Sequence, residues 1–514
     1  MPNRFDFGGV HVSAGEDTSS TRPSSEIPFC VALVGDFSGR TNRGVVESKT
    51  IGERHVLLVD RDNFDEVLAS LAPQLRLSRE NTPYVFHFSK LDDFHPDRLF
   101  EHESFSRLRG LRTRLQDPSA FEEFLKELGL PANDLVADQH PEPSPSTPSV
   151  ASLARGSLLE QTIERTESRL SAEPSAEDRD PMRKFAQQLA AKYSVRRLDP
   201  RQPELIAALD HALADAMRAV LHHPDFQALE ASWQAAFCLV RELDTGSRLK
   251  LCLIDISKEE LAADFNSASD FQDACFFRLM VEKTVQAYGA DPWALIVGNY
   301  RFGPDSDDAK LLSVLAKTAH CASSPFIAEA SPRLLGLGSL SQAEWSLEPS
   351  RPREAGDWTA LRCLPEADSV ALAIPRYLLR LPYGKKTAPI DSFNFEEFPG
   401  APLHEDYLWG NPAFAVALLL CRTFAEAGWD MRPGQDAQIT GLPLHVYGEG
   451  TNSEAKPCGE VLFTQDAVEQ VLEAGLMPLV SYKGRDSIRV ARFQSISQPS
   501  RPLAGRWAIS GTKS

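Results

Sequence analysis

The chain has 514 residues, 42% of them hydrophobic, and 54 Lys and Arg against 72 Asp and Glu give a net charge of -18. That length accommodates roughly two to four domains with real cores. The acidic balance disfavours nucleic acid or an anionic membrane surface as the main partner.

Eight cysteines lie at 30, 238, 252, 275, 321, 363, 421 and 458, none in a C-x-x-C pair and several inside apolar runs such as "LKLCLIDI". That is the pattern of buried reduced thiols, unlike a disulfide framework or a zinc cluster. The N-terminus "MPNRFDFGGVHVSAGEDTSS" has no apolar core of signal-peptide length, and "PAFAVALLLCRTF" is too short to span a bilayer. A cytoplasmic protein without membrane insertion is expected.

In chain order, "RFDFGGVHVS" (4–13) alternates apolar and polar residues as a strand does. "FCVALVGDFSGR" predicts a buried strand over Phe29 to Val34 ending in a turn, and "HVLLVD" (55–60) a second strand. "DNFDEVLASLAPQL" predicts a helix with Asn63 as N-cap and Phe64, Val67, Leu68 and Leu71 on one face. A strand at "YVFHF" (84–88) and helices from about 96 to 129 complete a small α/β unit. Proline, serine and small residues then dominate 131–156, a semi-extended linker. The chain so divides into 1–130, the linker 131–156, and 157–514, with helices over 157–240 and an α/β core over 245–514.

In the larger part, Ile206, Leu209, Leu213, Met217 and Val220 recur at helical spacing, as do Phe226, Leu229, Trp233, Phe237 and Val240. "LKLCLIDI" (249–256) is apolar on both faces, as a central strand must be, and "WALIVGNY" (293–300) is a second such strand. A helical stretch from about 258 to 288 joins them as a βαβ crossover. A helix over 307–320 and "PFIAEA" continue the alternation, and the proline-rich region after about 332 reads as irregular. The fold class is α/β, a small unit linked to a larger one with a partly parallel sheet.

Several strings invite a chemical reading. Gly384, Lys385, Lys386 and Thr387 end like a phosphate-binding loop, but the first glycine of that pattern is Leu379, and Lys386 stands where a hydroxyl should hold magnesium. A turn with solvated lysines is expected instead. "GDFSGR" (35–40) follows a strand but lacks the third glycine and the lysine, so Asp36 or Ser38 is expected to bond local backbone. "FHPDR" (94–98) and "HHPDF" (222–226) place proline and aspartate at helix starts, and neither belongs to a metal-ligand pattern. Glu396 and Glu397 in "FNFEEF" (393–398) face opposite ways in an extended chain, and no G-x-S-x-G nucleophile elbow occurs. No catalytic residue, metal site or cofactor is expected, and the protein reads as a non-enzyme.

The strings "IPFCVALVGDFSGR", "DNFDEVLASLAPQL" and "LDDFHPDRL" (91–99) resemble, in that order, the small subunit of the type VI secretion contractile sheath. Past the linker, "HHPDFQALEASW", "LKLCLIDISKEEL", "PWALIVGNYRFG", "LPYGKKTAPIDSFNFEEF", "YLWGNPAFA" (407–415) and "EVLFTQDAVEQVLEAGLMPLV" resemble its large subunit, and "YKGRDSIRVARFQSISQP" continues the match. The resemblance implies a structural protomer of a helical sheath that surrounds and propels an inner tube. Its implied partners are other sheath protomers, the inner-tube protein, the baseplate and a ClpV-type AAA+ unfoldase. Such protomers are joined by donated strands, for which Phe5, Phe7, Val10 and Val12 are candidates, unless that segment is an edge strand of its own domain. "SLLEQTIERTES" (157–168) lies where the unfoldase-recognition helix falls, with Leu158, Leu159, Ile163 and Thr166 on one face. It is equally read as a packed amphipathic helix.

Two features depart from the family pattern. Both subunits lie in one chain, which fixes their ratio and raises their effective concentration for each other. After "QSISQP" only "SRPLAGRWAISGTKS" follows, with "GRWAIS" read as a short strand, where the large subunit ordinarily continues into an exchanged terminal extension. A non-polymerising cap, baseplate-associated or adaptor module is therefore one alternative, and a soluble α/β enzyme a second.

Overall fold

The structure is a computed structural model that describes residues 23–79, 82–127, 201–284, 290–340, 356–448 and 453–508. Its centre is a nine-stranded sheet. Strand β1 (Phe29–Gly35) is buried along its whole length, because "FCVALVG" has an apolar side chain for each face. The antiparallel pair β3 (Gln74–Arg79) and β4 (Thr82–His87) stands apart from the sheet. The remaining strands are β2 (Leu57–Val59), β5 (Leu249–Asp255), β6 (Trp293–Phe302), β7 (Phe326–Ala330) and β8 (Val370–Ile374). They are followed by the short pair β9 (Tyr377–Leu378) and β10 (Trp409–Gly410), then β11 (Gln438–Ile439). A small hairpin, β12 (Val446–Tyr447) with β13 (Glu454–Ala455), precedes β14 (Met477–Ser481) and β15 (Ile488–Val490).

The order across the sheet is β11-β15-β14-β8-β7-β6-β1-β5-β2. From β5 to β14 every neighbour is parallel, and short antiparallel strands close both edges. β1 lies between β5 and β6, with Phe29 opposite Leu249 and Gly35 opposite Asp255. A strand from the first hundred residues thus occupies the middle of a sheet whose other parallel members come from beyond residue 248.

Among the described residues the longer helices and the short α1 follow in chain order. They open with α1 (Arg40–Arg43), α2 (Phe64–Leu71), α3 (Pro96–Glu101), α4 (Ser106–Gln116) and α5 (Pro118–Glu127). Then come α6 (Arg201–Leu221), α7 (Pro224–Glu242), α8 (Lys258–Ser267) and α9 (Ser306–Ala322). The last three are α10 (Gly356–Arg362), α11 (Pro412–Ala427) and α12 (Gln465–Glu473). One face of the sheet offers Cys30, Ala32, Val34 and Ile254 to a core shared with Leu261 of α8, Leu312 and Leu315 of α9, Leu361 of α10 and Val471 of α12. On the other face Phe29 packs on Phe424 of α11, ring centroids 4.7 Å apart, and Phe37 on Trp233 of α7 at 5.5 Å. Each such side chain, fully buried, contributes about 1.5–3 kcal/mol against leaving it in water. Strand β6 passes so close to β7 that Gly298 has no room for a side chain, its Cβ position falling 2.3 Å from the Phe326 ring.

By backbone contacts the described chain forms two compact units, 1–107 with 210–514, and 108–209. In the second, Leu115, Phe121 and Leu125 form a core with Leu205, Ile206 and Leu209, and Gln202 Nε2 donates to the Leu115 carbonyl at 2.6 Å.

Some sequence expectations are corrected. Past Pro73 the chain forms β3 rather than continuing the α2 pattern, since proline ends the helical register there. Asn63 occupies the N-cap position of α2, but its side chain bonds Asp60 N–H and the Leu58 carbonyl instead. The region after 332, read as irregular, contributes β8 to the sheet centre and the buried α11. Arg506–Ala508 forms a turn rather than the start of a strand, with Trp507 against Phe29.

Candidate functional site

The chemistry of "GDFSGR" is now visible. Asp36 accepts the backbone N–H of Arg40 at 2.7 Å and of Thr41 at 2.8 Å, the local turn its residue types suggest. The turn also receives a partner from the end of β5. Asp255 Oδ1 accepts from Phe37 N–H at 2.8 Å and Ser38 N–H at 3.0 Å, and Oδ2 from the Ser38 hydroxyl and Arg40 Nε, both at 2.8 Å. Just beyond, Ser257 and Glu260 form a capping box at the start of α8. Glu260, fully buried, uses its Oε1 to accept from Arg54 at 2.8 Å, from Arg40 at 3.1 Å and from Glu47 N–H at 3.0 Å. Burial and, more weakly, the Asp255 charge push the Asp36 carboxyl up, against the pull of the Thr41 and Arg40 N–H groups.

Both His-Pro-Asp strings start helices, with His95 capping α3 and His223 capping α7 through the N–H two residues on. Their aspartates then reach across the molecule. Asp97 holds Asp391 N–H and Ser392 N–H and hydroxyl. Asp225 accepts from Asn42 Nδ2 at 2.7 Å, while Asn42 Oδ1 takes Arg76 N–H.

"LPYGKKT" is a turn. Gly384 N–H bonds the Ala388 carbonyl, Thr387 Oγ1 bonds the Pro382 carbonyl, and Glu396 accepts Lys385 N–H. A Cβ at Gly384 would fall 2.3 Å from Glu396 Oε2, so a larger residue there would displace that carboxylate. Glu396 and Glu397 do face opposite ways, the first exposed and the second buried. Glu397 shares Arg380 with Glu230, at 2.9 and 2.7 Å, and accepts Tyr383 N–H at 2.7 Å. Burial raises Glu230 against the pull of Arg380. Burial opposes ionisation of Glu397 too, yet Arg380, His222 and Tyr383 N–H bring it down to about 2.

Over the carboxyl ends of β1, β6, β7 and β8 lies a cleft of about 480 Å³, lined among others by Asp36, Lys258, Glu259, Arg301, Glu329 and Arg376. Open α/β sheets bind their ligands at this edge. Here the charges are engaged with one another: Lys258 with Asp308, Arg301 with Glu329, Arg376 with Glu460, and Glu259 with the Thr41 hydroxyl. Burial also pushes the Cys30 thiol up to about 12 and Cys252 to about 11, so neither is a ready nucleophile. Among the described residues, no group of His, Cys, Asp and Glu is placed to hold a metal ion, and no helix is long and apolar enough to cross a membrane.

The arrangement uses its polar groups to join segments far apart in the chain. The candidate strand residues Phe5, Phe7, Val10 and Val12 and the candidate helix residues Leu158, Leu159, Ile163 and Thr166 lie outside the described residues. Sequence reasoning missed Asp255, Glu260 and Arg380. Asp255 closing an apolar strand, and the Ser257–Glu260 capping-box spacing, were the available signals.

Residues 203–497 match the VipB family, described as EvpB/VC_A0108, tail sheath N-terminal domain, and the chain belongs to that family. Residues 9–128 match the family described as type VI secretion system, VipA, VC_A0107 or Hcp2. One chain therefore carries a VipA-like and a VipB-like segment. It is 32% identical over 305 residues to the type VI secretion system sheath protein TssC1 of Pseudomonas aeruginosa. The match covers 57% of this chain and 61% of that relative, so the chain spans under two thirds of the relative's length.

Proposed function

We propose that the chain is a structural protomer of a type VI secretion contractile sheath, which surrounds an inner tube and propels it by shortening. One observation carries this reading: β1 of the VipA-like segment lies between β5 and β6 of the VipB-like segment, sealed at its end by Asp255. A protomer that transmits force needs its two segments to move together, and shared strands with buried charge pairs supply that. The protomer is non-enzymatic and cytoplasmic, and its partners are further sheath protomers, the inner-tube protein, the baseplate and a ClpV-type unfoldase. Within this reading, Phe5, Phe7, Val10 and Val12 belong to a strand donated to a neighbour, and Leu158, Leu159, Ile163 and Thr166 to the helix the unfoldase docks.

Fluorescent labelling in the native cell tests the assignment. The expected result is straight rods that grow and then shorten within a cell expressing the inner tube. Diffuse label in tube-expressing cells, or fixed single foci, would instead indicate a cap or adaptor.

A further inference from the structure

The turn 36–40 is shaped as an anion receptor. Two successive backbone N–H groups, of Phe37 and Ser38, converge on one oxygen, while the Ser38 hydroxyl and Arg40 Nε converge on the other. Consecutive N–H groups curled round one oxygen form the nest that holds phosphates and carboxylates in many proteins. A guanidinium adds a charge-assisted bond of the strong kind. The anion in this nest belongs to the chain itself. It is Asp255, its side chain 6% exposed and held in place because Gly35 pairs with Asp255 in the β1–β5 register. All four donors come from the VipA-like segment and the acceptor from the VipB-like segment.

We propose that Phe37, Ser38 and Arg40 form an oxyanion-binding site for which Asp255 is the built-in ligand, and that the site takes a free tetrahedral oxyanion such as inorganic sulfate or phosphate once that carboxylate is removed. The two segments thereby recognise each other as a receptor recognises an anion, which is a stricter requirement than apolar strand packing. A strand of equal hydrophobicity ending in an apolar residue would leave the Phe37 and Ser38 N–H groups, the Ser38 hydroxyl and Arg40 Nε facing an empty nest, although Arg40 Nη1 would keep Glu260. The inference concerns the inside of the protomer and does not rest on assembly into a sheath.

The test uses the full-length chain as wild type, Asp255→Ala and Asp255→Asn, each melted in sodium sulfate and in sodium chloride at matched ionic strength. Sulfate stabilises proteins generally, so the wild type and Asp255→Asn, whose amide still fills the nest, set the baseline. Asp255→Ala is expected to gain about 2 °C or more over that baseline, saturating with sulfate concentration as a binding site does. Adding Ser38→Ala to Asp255→Ala should remove most of the gain. If Asp255→Ala folds poorly in chloride, the readout becomes its folded yield, expected to recover in sulfate. An equal sulfate response in all three proteins, or no recovery of Asp255→Ala, would overturn the proposal.

Discussion

Asp97 accepts the backbone N–H of Ser392 at 2.9 Å, joining the start of α3 to a loop nearly three hundred residues later. The relationship has a counterpart in the other direction, since Asp225 at the start of α7 accepts the side-chain amide of Asn42 at 2.7 Å. Each segment's His-Pro-Asp helix start therefore grips the other segment. Burial works against the Asp97 charge, but the bonds from Ser392 and Asp391 hold its carboxyl below the usual range. Asp97→Ala is expected to destabilise the chain by about 1 kcal/mol in urea titration, because it removes the acceptor that the Asp391 and Ser392 N–H groups share. Asp225→Ala should cost less, having one such partner from the other segment.

The two carboxylates that share Arg380 should respond differently to substitution. Glu397 is held at about 2 in the folded chain from an ordinary 4.5, whereas burial pushes Glu230 the opposite way. Glu397→Gln should cost about 3 kcal/mol, as breaking a buried ion pair does. Glu230→Gln should cost less, since burial outweighs the pull of Arg380 at Glu230, whereas at Glu397 the added bonds from His222 and Tyr383 N–H outweigh burial.

The same group sets a limb of the acid transition. A carboxyl lowered by folding lends its full stability above its unfolded value and loses it as pH falls. For Glu397 that window runs from about pH 4.5 down to about 2. Denaturant midpoints measured across it should fall steeply for the wild type and more gently for Glu397→Gln.

The "GKKT" turn separates backbone need from lysine chemistry. Gly384→Ala should destabilise by up to about 1 kcal/mol, because the Glu396 carboxylate that accepts Lys385 N–H must move to admit the methyl group. Lys385→Ala, at an exposed position, should change stability by no more than about 0.5 kcal/mol. Thermal melts of the two variants would check the contrast.

Much of this architecture was readable residue by residue, and its long-range pairing was not. The apolar run of β1 and the two-sided "LKLCLIDI" announced strands buried on both faces, and the His-Pro-Asp strings announced helix starts. Which strands would be neighbours was hidden, because Leu33 and Leu253 pair across more than two hundred residues without a local signature. Strand β8 was missed because "VALAI" is short and lies among prolines and small residues that favour an irregular reading. The charge network was obscured for a related reason: Arg380, Glu230 and Glu397 are unremarkable polar residues until the fold brings them together away from water.

If the VipA-like and VipB-like segments form one body, the peptide link between them should be dispensable once folding is complete. A protease site placed within 131–156 of the full-length protein should allow cleavage into fragments that still elute together, even at about 1 M salt, where exposed ion pairs are screened. Elution of the fragments as separate species without denaturant would contradict the shared sheet.

Electron microscopy of the purified full-length protein, alone and mixed with the inner-tube protein of its own system, would show whether the chain assembles into a sheath. Hollow tubules with helical order are expected. Discrete particles under every condition would contradict the sheath reading.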